Sequence, residues 1–162
     1  MNDYKIVDNF LSPEKFGQLK NILESETFAW YLIKNVGGPY DTSDIYFIHT
    51  FFNGYAPQSN LFNTVLGIFR DKLEPKSIIR LRANLYPQKE TLIEHEKHTD
   101  FGFSHKSMVF YVNTNDGFTR LADGTKVMSV ENRALLFDAG SLHNSTNCTD
   151  QKSRMVLTIN YF

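Results

Sequence analysis

From residue 78 to the end of the chain, apolar and polar residues alternate with a period of two. That is the spacing of strands whose two faces meet different surroundings, and it excludes a helical core for this half. In residues 78–86, Ile79, Leu81, Ala83 and Leu85 take one face, while Arg80, Arg82, Asn84 and Tyr86 take the other. Residues 153–162 repeat the pattern, with Met155, Leu157, Ile159 and Tyr161 opposed to Arg154, Val156, Thr158 and Asn160. Residues 106–113, 118–121, 126–130 and 134–137 read as further short strands. Asn115-Asp116-Gly117 is a strong hairpin signal, and Ala122-Asp123-Gly124-Thr125 is a second turn. Short strands separated by turns predict a β-sandwich or distorted barrel of jelly-roll type.

The first 77 residues read differently. Residues 4–10 suit a short strand. Ser12-Pro13-Glu14 carries a hydroxyl N-cap, a proline at the first helical position and an acid in the first turn. Phe16, Leu19 and Leu23 follow at helical spacing, which predicts a helix to about residue 24. Residues 28–34 look like a strand broken by Gly37-Gly38-Pro39. Residues 40–55 are dense in rings, among them Tyr40, Tyr46, Phe47, Phe51, Phe52 and Tyr55, and read as strand and loop. A second helix is expected over 60–73, with Leu61, Val65, Leu66 and Phe69 on one face and Pro75 after it. Residues 88–97 are charged and suit a loop or lid. The expectation is one domain over 1–162, mainly β with N-terminal helices, in which 1–77 supplies helices and supporting strands and 78–162 the jelly-roll core.

A net charge of −1 removes any global attraction to polyanions and argues against a nucleic-acid partner. The one cysteine, Cys148, excludes an intrachain disulfide and a cysteine-based zinc site. The N-terminus shows no signal-peptide pattern, and no apolar run approaches the roughly 20 residues that span a bilayer. A cytoplasmic protein with no membrane partner is expected.

The chemistry-bearing stretch is His98-Thr99-Asp100. On an extended strand these two ligands project from one face, so an imidazole and a carboxylate can grip one ion. His143, which follows an apolar strand and a small-residue turn, can complete the set. Two His and one carboxylate with open positions opposite suit a non-haem Fe(II). Arg154 lies eleven residues beyond His143. If it points into the barrel it needs an anion, and its fork matches a carboxylate such as one end of a bound dicarboxylate. Asn84 and Tyr86 lie on the strand upstream of the His-x-Asp pair and suit a second carboxylate contact. His95 is a rival ligand, but it lacks an acid two residues on. Arg80 and Arg82 suit a solvent-facing edge strand equally well. Arg70, Lys72, Lys76, Arg80, Arg82 and Lys89 form a locally basic stretch that reads mainly as a solvated face.

His98-x-Asp100, His143 and Arg154 together resemble the Fe(II)/2-oxoglutarate-dependent dioxygenase superfamily, in its prolyl 4-hydroxylase-like branch. Asp8-Asn9-Phe10-Leu11-Ser12-Pro13-Glu14, Phe110-Tyr111-Val112-Asn113 and Asn132-Arg133-Ala134-Leu135-Leu136-Phe137-Asp138 are similar to segments of such domains. Compact domains of this kind also resemble oxygenases carried by bacteriophages. The resemblance implies a double-stranded β-helix core. It implies Fe(II) on His98, Asp100 and His143, with 2-oxoglutarate and O2 as cosubstrates and ascorbate as a stimulant. The distal carboxylate of 2-oxoglutarate would pair with Arg154, helped by Tyr86, Asn84 or Thr119, and succinate and CO2 would be released as a substrate C–H bond is hydroxylated. The substrate would be a peptide, an amino acid or another small molecule. The ring-rich residues 40–55 and the charged residues 88–97 are candidates for its mouth, although most of these rings read more readily as core under the N-terminal helices. Where prolyl hydroxylase relatives usually carry Gly-Gly-x-Thr, this chain has Gly117-Phe118-Thr119.

Two other readings stay open at this point. Arg82-x-Asn84-x-Tyr86 is similar to the cosubstrate strand of the nucleobase demethylase branch, which would make a nucleobase the substrate. A non-catalytic cupin-like module would bind a metal or ligand without turnover, and would have no need of Arg154.

Overall fold

The computed structural model describes residues 4–36 and 44–162. The expected break at Gly37-Gly38-Pro39 and the ring of Tyr40 lie outside the described residues. In chain order the elements are β1 (Lys5–Val7), α1 (Pro13–Leu23), β2 (Tyr31–Ile33), β3 (Tyr46–Asn53), β4 (Ala56–Pro57), α2 (Phe62–Leu73), β5 (Ile78–Pro87), β6 (Lys106–Tyr111), β7 (Phe118–Leu121), β8 (Lys126–Met128), β9 (Arg133–Asp138), β10 (His143–Ser145) and β11 (Ser153–Tyr161).

The helix signals act as the residues dictate. Ser12 caps α1 by accepting from the Lys15 amide, with Pro13 at the first helical position. α2 ends where Glu74 adopts a left-handed conformation, φ 45°, one residue before Pro75. Leu19 and Leu23 of α1 join Val65, Leu66, Ile68 and Phe69 of α2 in a core laid on one face of the larger sheet.

That sheet runs β1-β9-β6-β11-β5-β3-β2, with β4 on β3, and among the described residues its strands all pair antiparallel. Its helix-facing residues include Leu81, Ala83, Met108, Phe110, Leu157 and Ile159. Phe110 meets the rings of Phe10, Phe16 and Phe69. A Phe at such a site contributes about 3–5 kcal/mol over Ala. The opposite face carries Tyr86, Val109, Tyr111 and Val156, which pack with Leu121 and Val127 of a small sheet ordered β10-β7-β8. Two sheets packed over a shared core are the jelly-roll arrangement the alternation predicts, with the helices backing the larger sheet.

Several expectations change. Asn115-Asp116-Gly117 does not close a hairpin, because β6 pairs with β11 and β9, and β7 pairs with β10 and β8. The segment crosses between sheets instead. Gly117 is required there because a Cβ would collide with the Asn147 carbonyl oxygen and come within 2.5 Å of Arg154 Cδ. The second turn does close a hairpin, β7 to β8, with Gly124 at φ 89°. β5 is not an edge strand, since β11 and β3 flank it. Its polar face therefore looks into the molecule. Residues 88–97 do not form a free lid: Asn147 binds the Ile93 amide and Thr91 carbonyl, and Arg120 pairs with Glu94. The basic stretch is dispersed, with Arg80 on Asp100 and Lys89 on Asp44, while Arg70 and Lys72 stand exposed on α2.

Candidate metal centre and its cavity

His98 and His143 exchange backbone hydrogen bonds, each amide donating to the other's carbonyl at 2.9 Å. This antiparallel bridge lies just outside the regular strand ladder, and it sets the two imidazoles side by side with ring centroids 4.7 Å apart. Asp100 follows in a bend rather than a strand, fixed by its amide on the Ala139 carbonyl at 3.0 Å. The three residues still converge: one ligand atom from each lies within 4.8 Å of the others.

The donor chemistry suits a metal. Nδ1 of His98 lies 3.2 Å from the Glu96 carbonyl oxygen, and Nδ1 of His143 lies 3.0 Å from that of Ser141. A carbonyl only accepts, so both Nδ1 atoms carry a proton, and in the neutral ring it is Nε2 that offers a lone pair to a metal. Burial pulls the His143 imidazole below its ordinary value, with Asp100 opposing, so the neutral form that a metal needs is favoured. For Asp100, burial pushes upward, but Arg80, His143 and Asn160 outweigh it and hold the carboxyl at about 2. Arg80 reaches Oδ1 at 2.6 Å and Asn160 reaches Oδ2 at 2.7 Å. Two imidazoles and an ionised carboxylate grouped on one side fit a divalent ion with open positions opposite.

Arg154 is the largest of the fully buried side chains. Its Nε donates to Ser129 Oγ at 2.8 Å, Nη1 to the Thr146 carbonyl at 3.3 Å and Nη2 to Thr119 Oγ1 at 3.2 Å. Its guanidinium carbon lies over the rings of Tyr86 and Tyr111 at 5.4 and 5.6 Å. All these partners are neutral, and burial pulls the guanidinium below its ordinary value. Among the described residues no carboxylate pairs with it. A buried cation without an anion is costly, and this one retains N–H groups beyond those it has used.

A single cavity joins the two features. Its walls include His98, Asp100, His143, Asn84, Tyr86, Thr119 and Arg154. Arg154 and Asn160 share one face of β11, six residues and about 20 Å of strand apart. Asn84 donates to Thr158 Oγ1 at 2.9 Å and leaves its own buried carbonyl oxygen without a partner. Tyr86 is stacked between Tyr46 and His95. A second cavity of about 240 Å3 opens beside the triad, lined by Val36, Tyr46, Arg80, Arg82, His98 and Asp100 among others. Of the expected mouth segments, 40–55 contributes Tyr46 to it and 88–97 contributes no lining residue. A larger groove of about 810 Å3 lies on the outer side, along His105, Asp138 and Tyr161, and contains none of the triad.

The structure therefore gathers His98, Asp100, His143, Arg154, Tyr86, Asn84 and Thr119 around one cavity. His95 stands apart from the triad, bound to Ser145 and Asp44. Asp138, at the end of β9, has partners outside the triad. It accepts from Ser104 and from the His105 and Gly140 amides. Arg80 and Asn160, which grip Asp100, carry no motif that marks them as parts of the site. Their signal was present in the alternation, since each shares a strand face with a site residue.

No family model matches the chain, and no curated protein matches it in sequence. Solved structures match in shape. A 2OG-Fe(II) oxygenase family oxidoreductase from Burkholderia pseudomallei superposes with a TM-score of 0.72 at 12% identity, covering 98% of this chain and 84% of that one. A viral collagen prolyl hydroxylase from Paramecium Bursaria Chlorella virus-1, as its 2OG complex, gives 0.61 at 13% identity, covering 97% and 94%. A prolyl hydroxylase from Trichoplax adhaerens, bound to a hypoxia inducible factor oxygen degradation domain peptide fragment, gives 0.62 at 14% identity, covering 100% and 84%. This chain has the jelly-roll fold of those oxygenases.

Proposed function

We propose that residues 1–162 form one Fe(II)- and 2-oxoglutarate-dependent dioxygenase domain that hydroxylates a C–H bond of its substrate, in the manner of prolyl hydroxylases. The observation that carries this is the buried Arg154, without an anionic partner among the described residues, in the same cavity as the His98, Asp100 and His143 triad. A cupin-like binding module needs a metal triad at most and leaves this guanidinium unexplained. The nucleobase reading loses its basic stretch, which the fold disperses.

His98, Asp100 and His143 would hold Fe(II), which when bound supplies the oxidative chemistry that couples 2-oxoglutarate decarboxylation to C–H hydroxylation. Arg154 anchors the distal carboxylate of 2-oxoglutarate, and Thr119 steadies the guanidinium. Tyr86 and Asn84 line the channel between the two ends, where Asn84 has an acceptor to spare. Tyr111, Val109 and Val156 exclude water behind it. Arg80 and Asn160 keep Asp100 ionised and aimed at the ion. The substrate, a peptide, an amino acid or another small molecule, approaches through the cavity beside Tyr46. The fold neighbour bound to a peptide fragment supports a peptide among these.

The test is succinate release from 2-oxoglutarate with Fe(II) and ascorbate, across peptides and amino acids. Release is expected in the wild type and absent in H98A, D100A and H143A. Equal release from all four proteins would refute the assignment.

A further inference from the structure

We propose that the substrate carries a carboxylate, and that Arg82 receives it in the cavity beside the triad. This deepens the oxygenase reading and rests on it. Arg82 lines both the inner cavity and the one beside Tyr46. Its Nε is buried without a hydrogen-bond partner. Among the described residues its guanidinium has no ion pair, and the contact it makes is with the face of Tyr46, 5.9 Å from the ring centroid. A buried N–H left unpaired costs free energy, so a group that supplies an acceptor there gains more than it would in water.

The neighbouring cations are already engaged. Arg80, two positions earlier on the same face of β5, is bound to Asp100. Arg154 lies at the far end of the inner cavity, where the cosubstrate would claim it. Arg82 and Arg80, two positions apart on one strand face, repel each other. A divalent ion would add to this positive potential. The carboxylates of 2-oxoglutarate and Asp100 do not cancel that ion together with three guanidiniums, so positive charge is left over beside the substrate. One free planar fork matches a single carboxylate, which accepts bidentately. The cavity, about 240 Å3, is below the usual range for drug-sized ligands, and suits one side chain or one free amino acid.

The experiment uses the 162-residue chain loaded with Mn(II), a redox-inert stand-in, and 2-oxoglutarate. Matched pairs are titrated by calorimetry: free amino acids against their amides, and short peptides with Asp or Glu against the same peptides with Asn or Gln. In the wild type, at least one acid should bind about 100-fold tighter than its amide, the scale of a desolvated charge pair. The arm in which it appears tells a free acid from a peptide side chain. Arg82→Gln should erase the preference while its 2-oxoglutarate affinity stays within about threefold of wild type, and Arg82→Lys should keep part of the preference. If no acid outbinds its amide, or R82Q binds the acid as the wild type does, the proposal is overturned. Loss of 2-oxoglutarate binding in R82Q would overturn it by placing Arg82 in the cosubstrate site. Failure of the wild type to bind 2-oxoglutarate at all would remove the oxygenase reading itself, and this assignment with it.

Discussion

Nη2 of Arg80 donates to Oδ1 of Asp100 at 2.6 Å, and the same oxygen lies 4.0 Å from Nε2 of His143. One carboxylate oxygen thus faces both a fixed cation and the space between the ligands. Partners that orient metal ligands typically contribute about 10–100-fold in metal affinity. Arg80→Met should therefore weaken Mn(II) binding by about that factor, measured by calorimetry. Binding as tight as wild type would show that Asp100 needs no such support.

Arg154 separates stability from function. Without 2-oxoglutarate its buried guanidinium is a burden, and replacing buried ionic groups by apolar side chains of similar volume is often neutral or stabilising by about 1–4 kcal/mol. Arg154→Met should unfold at a urea midpoint equal to or above that of the unliganded wild type. The same variant should lose at least about 100-fold in 2-oxoglutarate affinity, the loss of a buried charge-assisted pair, while its Mn(II) affinity stays near wild type.

Gly117 is held by space alone. A Cβ there meets the Asn147 carbonyl oxygen and Arg154 Cδ, and the Asn115 side chain beside them. Gly117→Ala should cost about 1–3 kcal/mol in denaturant unfolding, the range for overpacking. It should also weaken 2-oxoglutarate by displacing Arg154. A stability loss with unchanged 2-oxoglutarate affinity would show that the guanidinium keeps its place.

A pH dependence follows from the pair that pins residues 88–97 to the small sheet. Arg120 holds the Glu94 carboxyl at about 2, below its ordinary 4.5. A folded-state pKa that is depressed stabilises the fold above the ordinary value, and the contribution fades as pH falls from 4.5 toward 2. The pair is solvent-exposed, so the effect is small. Glu94→Gln should lower the urea midpoint slightly at neutral pH, and the difference from wild type should shrink below pH 4.5 and vanish near pH 2. A difference that grows on acidification would contradict this.

The alternation in residues 78–86 and 153–162 is enough to put Arg154 on one face with Asn160, and Asn84 and Tyr86 on one face with Arg80 and Arg82, because a period of two says which residues share a face. It could not tell which strand is central. Nor does it say which face turns inward; that follows from the pairing of β5 between β11 and β3, which sets the polar faces of β5 and β11 beside the triad. Asn115-Asp116-Gly117 misled for a related reason. Turn chemistry is local, whereas the partner of β7 is chosen by which sheet buries Phe118 and Leu121. The His98 and His143 bridge is a contact between segments 45 residues apart in sequence, which spacing alone does not specify.

The most direct measurement is a calorimetric titration of 2-oxoglutarate into the protein with and without Mn(II). If the triad and Arg154 share one ligand, binding is tight with the metal, falls by at least about 10-fold without it, and falls again in Arg154→Met. Affinity that is the same with and without Mn(II), or untouched by Arg154→Met, would contradict a site in which the metal and the guanidinium hold opposite ends of one molecule.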